Sequence, residues 1–256
     1  MVHLRTVIIT VAAVVAALAV AIFAIVAFLA PDVVKLPTSS PRATVVTFAP
    51  LPKASPSDPG PGVVNTADPG WIANVAAATS IPVTALKAYA GVTLEVAAAN
   101  PKCELSWNTL AGVGWVESRH GLIHGTTLGA NGTLTPPLYG VALNGNGFAL
   151  IPDSDGGSID GDKAGDRAVG PMQFLPDSWR NWHTDANGDG VEDPQNIFDA
   201  TMAAAHYLCR AAGTMGTQNG WQVGILAYNS SHQYLNDVMD AANRYASDAA
   251  ATLAKP

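Results

Sequence analysis

The chain reads as a mainly α protein carrying one long irregular insertion, and three observations point there. From Gly70 onward apolar residues recur at helical spacings, and no segment alternates apolar and polar residues over a strand length. Residues from about Gly121 to Val169 are crowded with Gly, Asn, Asp and Pro. At 256 residues there is room for one substantial domain with appendages, and the composition divides the chain into 1–30, 31–69 and 70–256.

Thr6 to Ala30 is an uncharged run rich in Val, Ala, Ile and Phe, long enough for the ~20 residues a membrane helix needs. It exceeds the roughly 7–15 apolar residues of a secretory leader, and Pro31 stands where cleavage would be wanted. The expectation is a single-pass transmembrane signal anchor with a cytoplasmic tip; the alternative is a cleaved signal peptide. Arg5 before the run and Lys35 and Arg42 after it are too balanced to orient it. Pro31 to about Pro69 then holds nine of the eighteen prolines, with Ser, Thr and Gly between them, which predicts a disordered extracytoplasmic tether. Stretched, it would reach on the order of 120 Å; relaxed, nearer about 35 Å.

A short helix is expected over Trp71 to Ala78. A second opens at Pro82, suited to a first helical position, and runs to about Asn100 with Leu86, Tyr89, Val92, Leu94 and Val96 as its apolar set. The third carries the chemistry. Ser106 is its expected N-cap and Gly121 its stop. Leu110, Val113 and Gly114 precede Glu117 by seven, four and three residues, so Glu117 shares the apolar face. Desolvation there would raise the carboxyl pKa toward what a general acid requires; a boundary Glu with its head in solvent is the other reading. Gly112 and Gly114 each cost the helix about 1 kcal/mol relative to Ala, so something is expected to approach that backbone closely. Asp177 or Ser178 would cap a further helix, and Phe198 to Ala211, Trp221 to Tyr228 and Tyr234 to about Leu253 complete the set. Cys103 and Cys209, the only cysteines, would pair as a disulfide in an exported domain, or remain two buried thiols in a cytoplasmic one.

The long insertion is expected to wall or lid a cleft, with short hairpins inside it. From Asp153 to Asp199 eleven acidic residues face Lys163, Arg167 and Arg180, a balance that excludes nucleic acid as a partner and favours cations. Gly170-Pro171-Met172-Gln173-Phe174 is a tight turn presenting Gln173, donor and acceptor, beside the flat face of Phe174, or simply a turn packed on the core. Tyr228 and Asn229 end a helix where they could hold a carboxylic acid or a sugar. Asp185, Asn187, Asp189, Val191 and Asp193 follow calcium-loop spacing, with Asn196 at the twelfth position instead of Glu; the competing reading is an Asx-rich turn. His120, His124, His183, His206 and His232 make no zinc spacing.

Val116-Glu117-Ser118-Arg119-His120-Gly121, then Gly170-Pro171-Met172-Gln173-Phe174, then Ala227-Tyr228-Asn229 resemble, in that order, the lytic transglycosylases of bacterial peptidoglycan. The type is the one similar to membrane-bound lytic transglycosylase B, and the likeness runs from roughly Trp71 to Met239, most closely with anchored forms of high-GC Gram-positive bacteria. The resemblance implies a lysozyme-like helical fold and non-hydrolytic cleavage of the β-1,4 bond between N-acetylmuramic acid and N-acetylglucosamine, giving 1,6-anhydro ends. Glu117 matches the single catalytic acid/base. Ser118, Gln173, Phe174, Tyr228 and Asn229 match residues that bind substrate or orient the carboxyl. No second acidic residue lies in the motifs, where most glycosidases use two. The resemblance further implies a structural Ca2+ but no cofactor for the chemistry. Its implied partners are peptidoglycan strands and proteins of wall synthesis or division, and its implied location is the cell membrane, with the catalytic domain extracytoplasmic. Two departures stand out: Ser230-Ser231 follows Asn229 where many relatives begin with His, and the insertion is long. A hydrolytic muramidase using Glu117, or a non-catalytic calcium-stabilised glycan-binding module, are the rival readings.

Overall fold

The structure, a computed structural model, describes residues 44–143, 145 and 150–253. The expected membrane anchor and the first part of the expected tether lie outside them. Among the described residues no helix is long and apolar enough to cross a membrane.

Seven helices form the described domain. They are α1 Pro69–Thr79, α2 Val83–Ala99, α3 Trp107–Ser118, α4 Pro176–Trp182, α5 Ile197–Ala212, α6 Gln218–Tyr228 and α7 His232–Leu253. Local chemistry fixes the starts. Asp68 accepts from the Trp71 amide ahead of Pro69, Asn196 from Phe198 and Thr217 from Gly220, each satisfying an amide the helix leaves unpaired. Two expectations about caps are corrected. Ser106 stands at the N-cap of α3 but turns its hydroxyl to Thr109 Oγ1, and α4 begins after Leu175, so Pro176 occupies the first turn in place of an Asp177 or Ser178 cap.

Helix α3 runs through the middle, packed chiefly on α7 and also on α2 and α5. Leu110 and Val113 are completely buried, and Trp107 meets Trp71 edge-on at 5.6 Å. The expected close approach at the glycines is present. A Cβ on Gly112 would stand 2.9 Å from the Val238 carbonyl of α7, and one on Gly114 would collide with the Tyr89 hydroxyl. Cys103 and Cys209 are joined, tying the loop before α3 to α5 across 106 residues.

Between α3 and α4 the insertion holds a two-residue hairpin, Thr127–Leu128 with Leu134–Thr135, and isolated bridges linking Tyr139 to Val169 and Val169 to Phe174. Its acidic stretch is largely self-satisfied. Asp153, Asp155, Asp160 and Asp162 each accept amide hydrogens from residues a few positions ahead.

Residues 45–68 differ from the expected free tether. They lie along the domain as a strap with Val46, Val63 and Ala67 buried. A proline-rich segment has few partners of its own, and amide side chains from three helices supply them. Gln218 bonds both backbone groups of Val46, Asn243 bonds Val45 and Thr47, and Asn108 bonds Thr47 and Ala49. Farther on, the Val63 amide donates to the Ala186 carbonyl.

Candidate active site

Glu117 sits in the last turn of α3, which stops abruptly because Arg119 and His120 both take left-handed backbone conformations (φ 52° and 64°). The turn is held from two sides. Both ring nitrogens of buried His120 meet tyrosine hydroxyls, Nδ1 with Tyr89 at 2.9 Å and Nε2 with Tyr245 at 2.8 Å. Burial first, and then the Arg244 and Arg119 charges, push the His120 pKa down to about 3, so the ring is neutral and structural. On the other side Ser118, 1% exposed, donates to the Pro171 carbonyl at 2.6 Å and accepts from the Gly121 amide at 2.7 Å. This corrects the expectation that Ser118 binds substrate or orients the carboxyl. Its hydroxyl is spent locking the end of α3 to the Gly170–Phe174 turn.

That turn needs its glycine: at φ 73°, a Cβ on Gly170 would run into the Pro194 carbonyl. Gln173, also left-handed at φ 50°, curls its amide back to the Gly170 carbonyl at 2.9 Å. Phe174 packs edge-on against Trp179 and, at 5.8 Å, against Tyr228. Tyr228 donates to the Met172 carbonyl at 2.8 Å, so the end of α6 is bonded to the same turn. Gln173, Phe174, Leu175, Ser178, Tyr207 and Tyr228 line a small open cavity of about 90 Å³. Asn229 is placed elsewhere. It is exposed at the C-cap of α6, its amide nitrogen bonded to Ile225 and its side chain accepting from Ser231, so its bonds serve the helix end, not Glu117.

The Glu117 carboxyl accepts a 2.5 Å hydrogen bond from Tyr234 of α7. Burial is the larger influence and raises its pKa to about 7; the Tyr234 bond, which favours the carboxylate, opposes it. At neutral pH such a group is about half protonated, able both to give a proton and to take one back. Among the described residues, the causes that shift it are burial and the Tyr234 bond, with no second carboxylate among them. Its charge is felt in turn by Tyr228 and Tyr234, whose hydroxyls burial pushes well above their ordinary range. Tyr234 was not identified from the sequence. It precedes Leu235, Val238 and Met239 on α7 and reads as one more apolar position on that helix.

In the segment with calcium-loop spacing, Asp185 accepts amides from Gly188, Asp189 and Gly190, and Asp189 accepts from Val191 and from the Asn187 side chain. Asp193 turns its oxygen to the Gln195 amide, and Asn196 caps α5. Beneath the turn Asp199, completely buried, accepts from the Ala186, Asn187 and Asp193 amides. Burial first, with the Asp185 charge adding to it, raises the Asp199 carboxyl to about 6. The oxygens of Asp185 and Asp189 are taken up by the amides of their own turn, as in an Asx-rich turn, and Asp193 is diverted to Gln195. Among the described residues three carboxylates gather closely only at Asp153, Asp155 and Asp166, where Ser154 donates twice to Asp166.

The family described as Transglycosylase SLT domain matches residues 153–241. That span takes in the Gly170–Phe174 turn, Tyr228 and Tyr234 but stops short of Glu117 on the N-terminal side. No curated protein and no solved structure matches the chain.

Proposed function

We propose that the chain is a peptidoglycan lytic transglycosylase with a lysozyme-like domain, cleaving the β-1,4 bond between N-acetylmuramic acid and N-acetylglucosamine to leave 1,6-anhydro ends during wall remodelling. The observation that carries this is a lone carboxyl, Glu117, raised to about 7 and hydrogen-bonded to Tyr234. Tyr228, whose hydroxyl feels the Glu117 charge, forms part of an open cavity walled by Gln173 and Phe174. The family match over residues 153–241 supports the substrate class.

In this reading protonated Glu117 gives its proton to the glycosidic oxygen as the C1–O bond breaks. The carboxylate so formed, steadied by the Tyr234 hydroxyl, takes the proton of the muramic acid C6 hydroxyl while that oxygen closes on C1. The proton count balances and no water enters. A lone acid/base suffices because the attacking oxygen belongs to the substrate. Tyr228 offers a ring to the sugars and Gln173 an amide edge to N-acetyl or hydroxyl groups, while Phe174, 4% exposed, backs them from the core. Calcium would be held by Asp185, Asn187, Asp189 and the Val191 carbonyl over buried Asp199, where it would supply charge neutralisation to the loop and nothing to the reaction. Calcium-dependent thermal stabilisation of wild type that is lost in Asp189→Asn tests that site. Placement at the cell membrane through the N-terminal segment, beside wall-synthesis or division proteins, completes the proposal.

The testing experiment digests purified peptidoglycan with wild type and Glu117→Gln. Release of soluble fragments should fall about 10²–10⁴-fold in the variant while binding to insoluble wall persists. Equal digestion would overturn the assignment of Glu117, and binding without digestion by either protein would favour a glycan-binding module.

A further inference from the structure

Part of the insertion runs beside the Gly170–Phe174 turn as an extra edge. Val169 and Phe174 exchange backbone hydrogen bonds, at 2.8 and 3.1 Å. On the other side of Val169 the Gly140 amide donates to the Ala168 carbonyl at 2.8 Å and the Gly170 amide to the Leu138 carbonyl at 2.9 Å, so Tyr139 is the antiparallel partner of Val169. Buried Gln195 fixes the start of this outer segment by bonding both backbone groups of Leu138. In an antiparallel pair bonded through its flanking residues, the middle residue turns its own N–H and C=O away from its partner. The backbone groups of Tyr139, and those of Val141 two residues on, accordingly have no hydrogen-bond partner among the described residues.

This open edge adjoins Gln173. A Cβ on Gly140 would stand 3.0 Å from Gln173 Oε1, so the Gln173 amide lies over the outer segment itself, where the glycine leaves it room. Gln173 Nε2 is committed to the Gly170 carbonyl. A group resting on Gln173 at this point has the free N–H and C=O of Tyr139 beside it, and Tyr139 and Val141 are both exposed. One extended residue offering a donor and an acceptor together is complementary to a single secondary amide. The free run is too short to pair with an extended peptide: Pro136 and Pro137 precede it, and at its far end Leu143 is already bonded to Ile151 and Asp166. It suits an isolated amide, and the 2-acetamido group is the one that every sugar of the proposed substrate carries.

We infer that the Tyr139–Val141 edge is an acetamido-binding element of the glycan site, the Tyr139 N–H donating to the acetyl carbonyl and the Tyr139 C=O accepting from the acetamido N–H of a sugar beside Gln173. The inference rests on the proposed activity for its substrate. It gives the insertion a part in recognition and makes Gly140 a positioning residue, whose missing side chain keeps the Gln173 amide in place.

Two measurements test it. First, full-length Glu117→Gln is titrated with a peptide-free tetrasaccharide of alternating N-acetylglucosamine and N-acetylmuramic acid, and with the same tetrasaccharide after de-N-acetylation, while amides are followed by NMR. Hydrogen exchange at the Tyr139 amide should slow about threefold to tenfold with the N-acetylated strand and stay unchanged with the other. Unchanged exchange at Tyr139 overturns the inference, whether or not the Gln173 side-chain amide shifts. Second, Gly140→Ala should raise the KM for glycan strands about threefold with kcat unchanged, and should add nothing in a Gln173→Ala background. An equal effect in both backgrounds would overturn the positioning role of Gly140. Failure of wild type to cleave peptidoglycan would instead overturn the proposed activity, while exchange at Tyr139 still reads the edge.

Discussion

Replacing Glu117 by Gln removes a titration without changing the shape of the side chain, so it separates electrostatics from packing. In the folded chain the carboxyl is raised to about 7 from an ordinary 4.5. Between those values the native state holds more protons than the unfolded state, so the stability this group contributes is complete below about pH 4.5 and is lost as pH rises through about 7. At about 1.4 kcal/mol per pH unit the full difference is roughly 3 kcal/mol, and solvent at this partly exposed residue reduces it to about 2–3 kcal/mol. Glu117→Gln should therefore match wild type within about 0.5 kcal/mol near pH 4 and exceed it by about 2–3 kcal/mol near pH 8. Urea unfolding at a series of pH values measures this, with m-values checked for constancy. A stability difference that does not change between pH 4 and pH 8 would refute the reasoning, because it would place the carboxyl in an ordinary aqueous setting.

Tyr234→Phe removes the bond that favours the carboxylate, so the Glu117 pKa should rise by up to about one unit and the alkaline limb of the pH–activity profile should move up with it. An unmoved limb with lower activity would assign Tyr234 to substrate contact alone. Reducing the Cys103–Cys209 bridge, or replacing both residues by Ser, should cost about 4–5 kcal/mol on the chain-entropy account of a 106-residue span, read as a lowered unfolding midpoint. Gly114→Ala drives a methyl into the Tyr89 hydroxyl and should destabilise by about 1–3 kcal/mol, measured by thermal unfolding; a neutral effect would mean that Tyr89 is free to move away.

Much of this was readable from local chemistry, because helices announce themselves in spacing and caps. The expected helix ends fall within a few residues of those observed. The odd glycines of α3 correctly signalled a close neighbour, though nothing nearby in sequence named Tyr89 or Val238 as that neighbour. Glu117 was legible for the same reason, as a carboxylate at a core spacing. The misreadings concern partners distant in sequence. The strap is proline-rich and looks like a tether, since Asn108, Gln218 and Asn243, which hold it, lie between 59 and 198 residues away. Ser118 follows Glu117 in the motif and looks functional, yet its carbonyl partner is 53 residues on. Tyr234 sits on an apolar helix face, and only the packing of α7 across α3 reveals that its hydroxyl reaches Glu117.

The mass of the cleavage products formed in ¹⁸O-labelled water decides how the glycan is cut. If one protonated carboxyl works with the C6 hydroxyl as nucleophile, wild type releases fragments one water lighter than the hydrolytic product, free of label, and Glu117→Gln releases almost none. Products with reducing ends that carry ¹⁸O would contradict this, because water would then be the nucleophile.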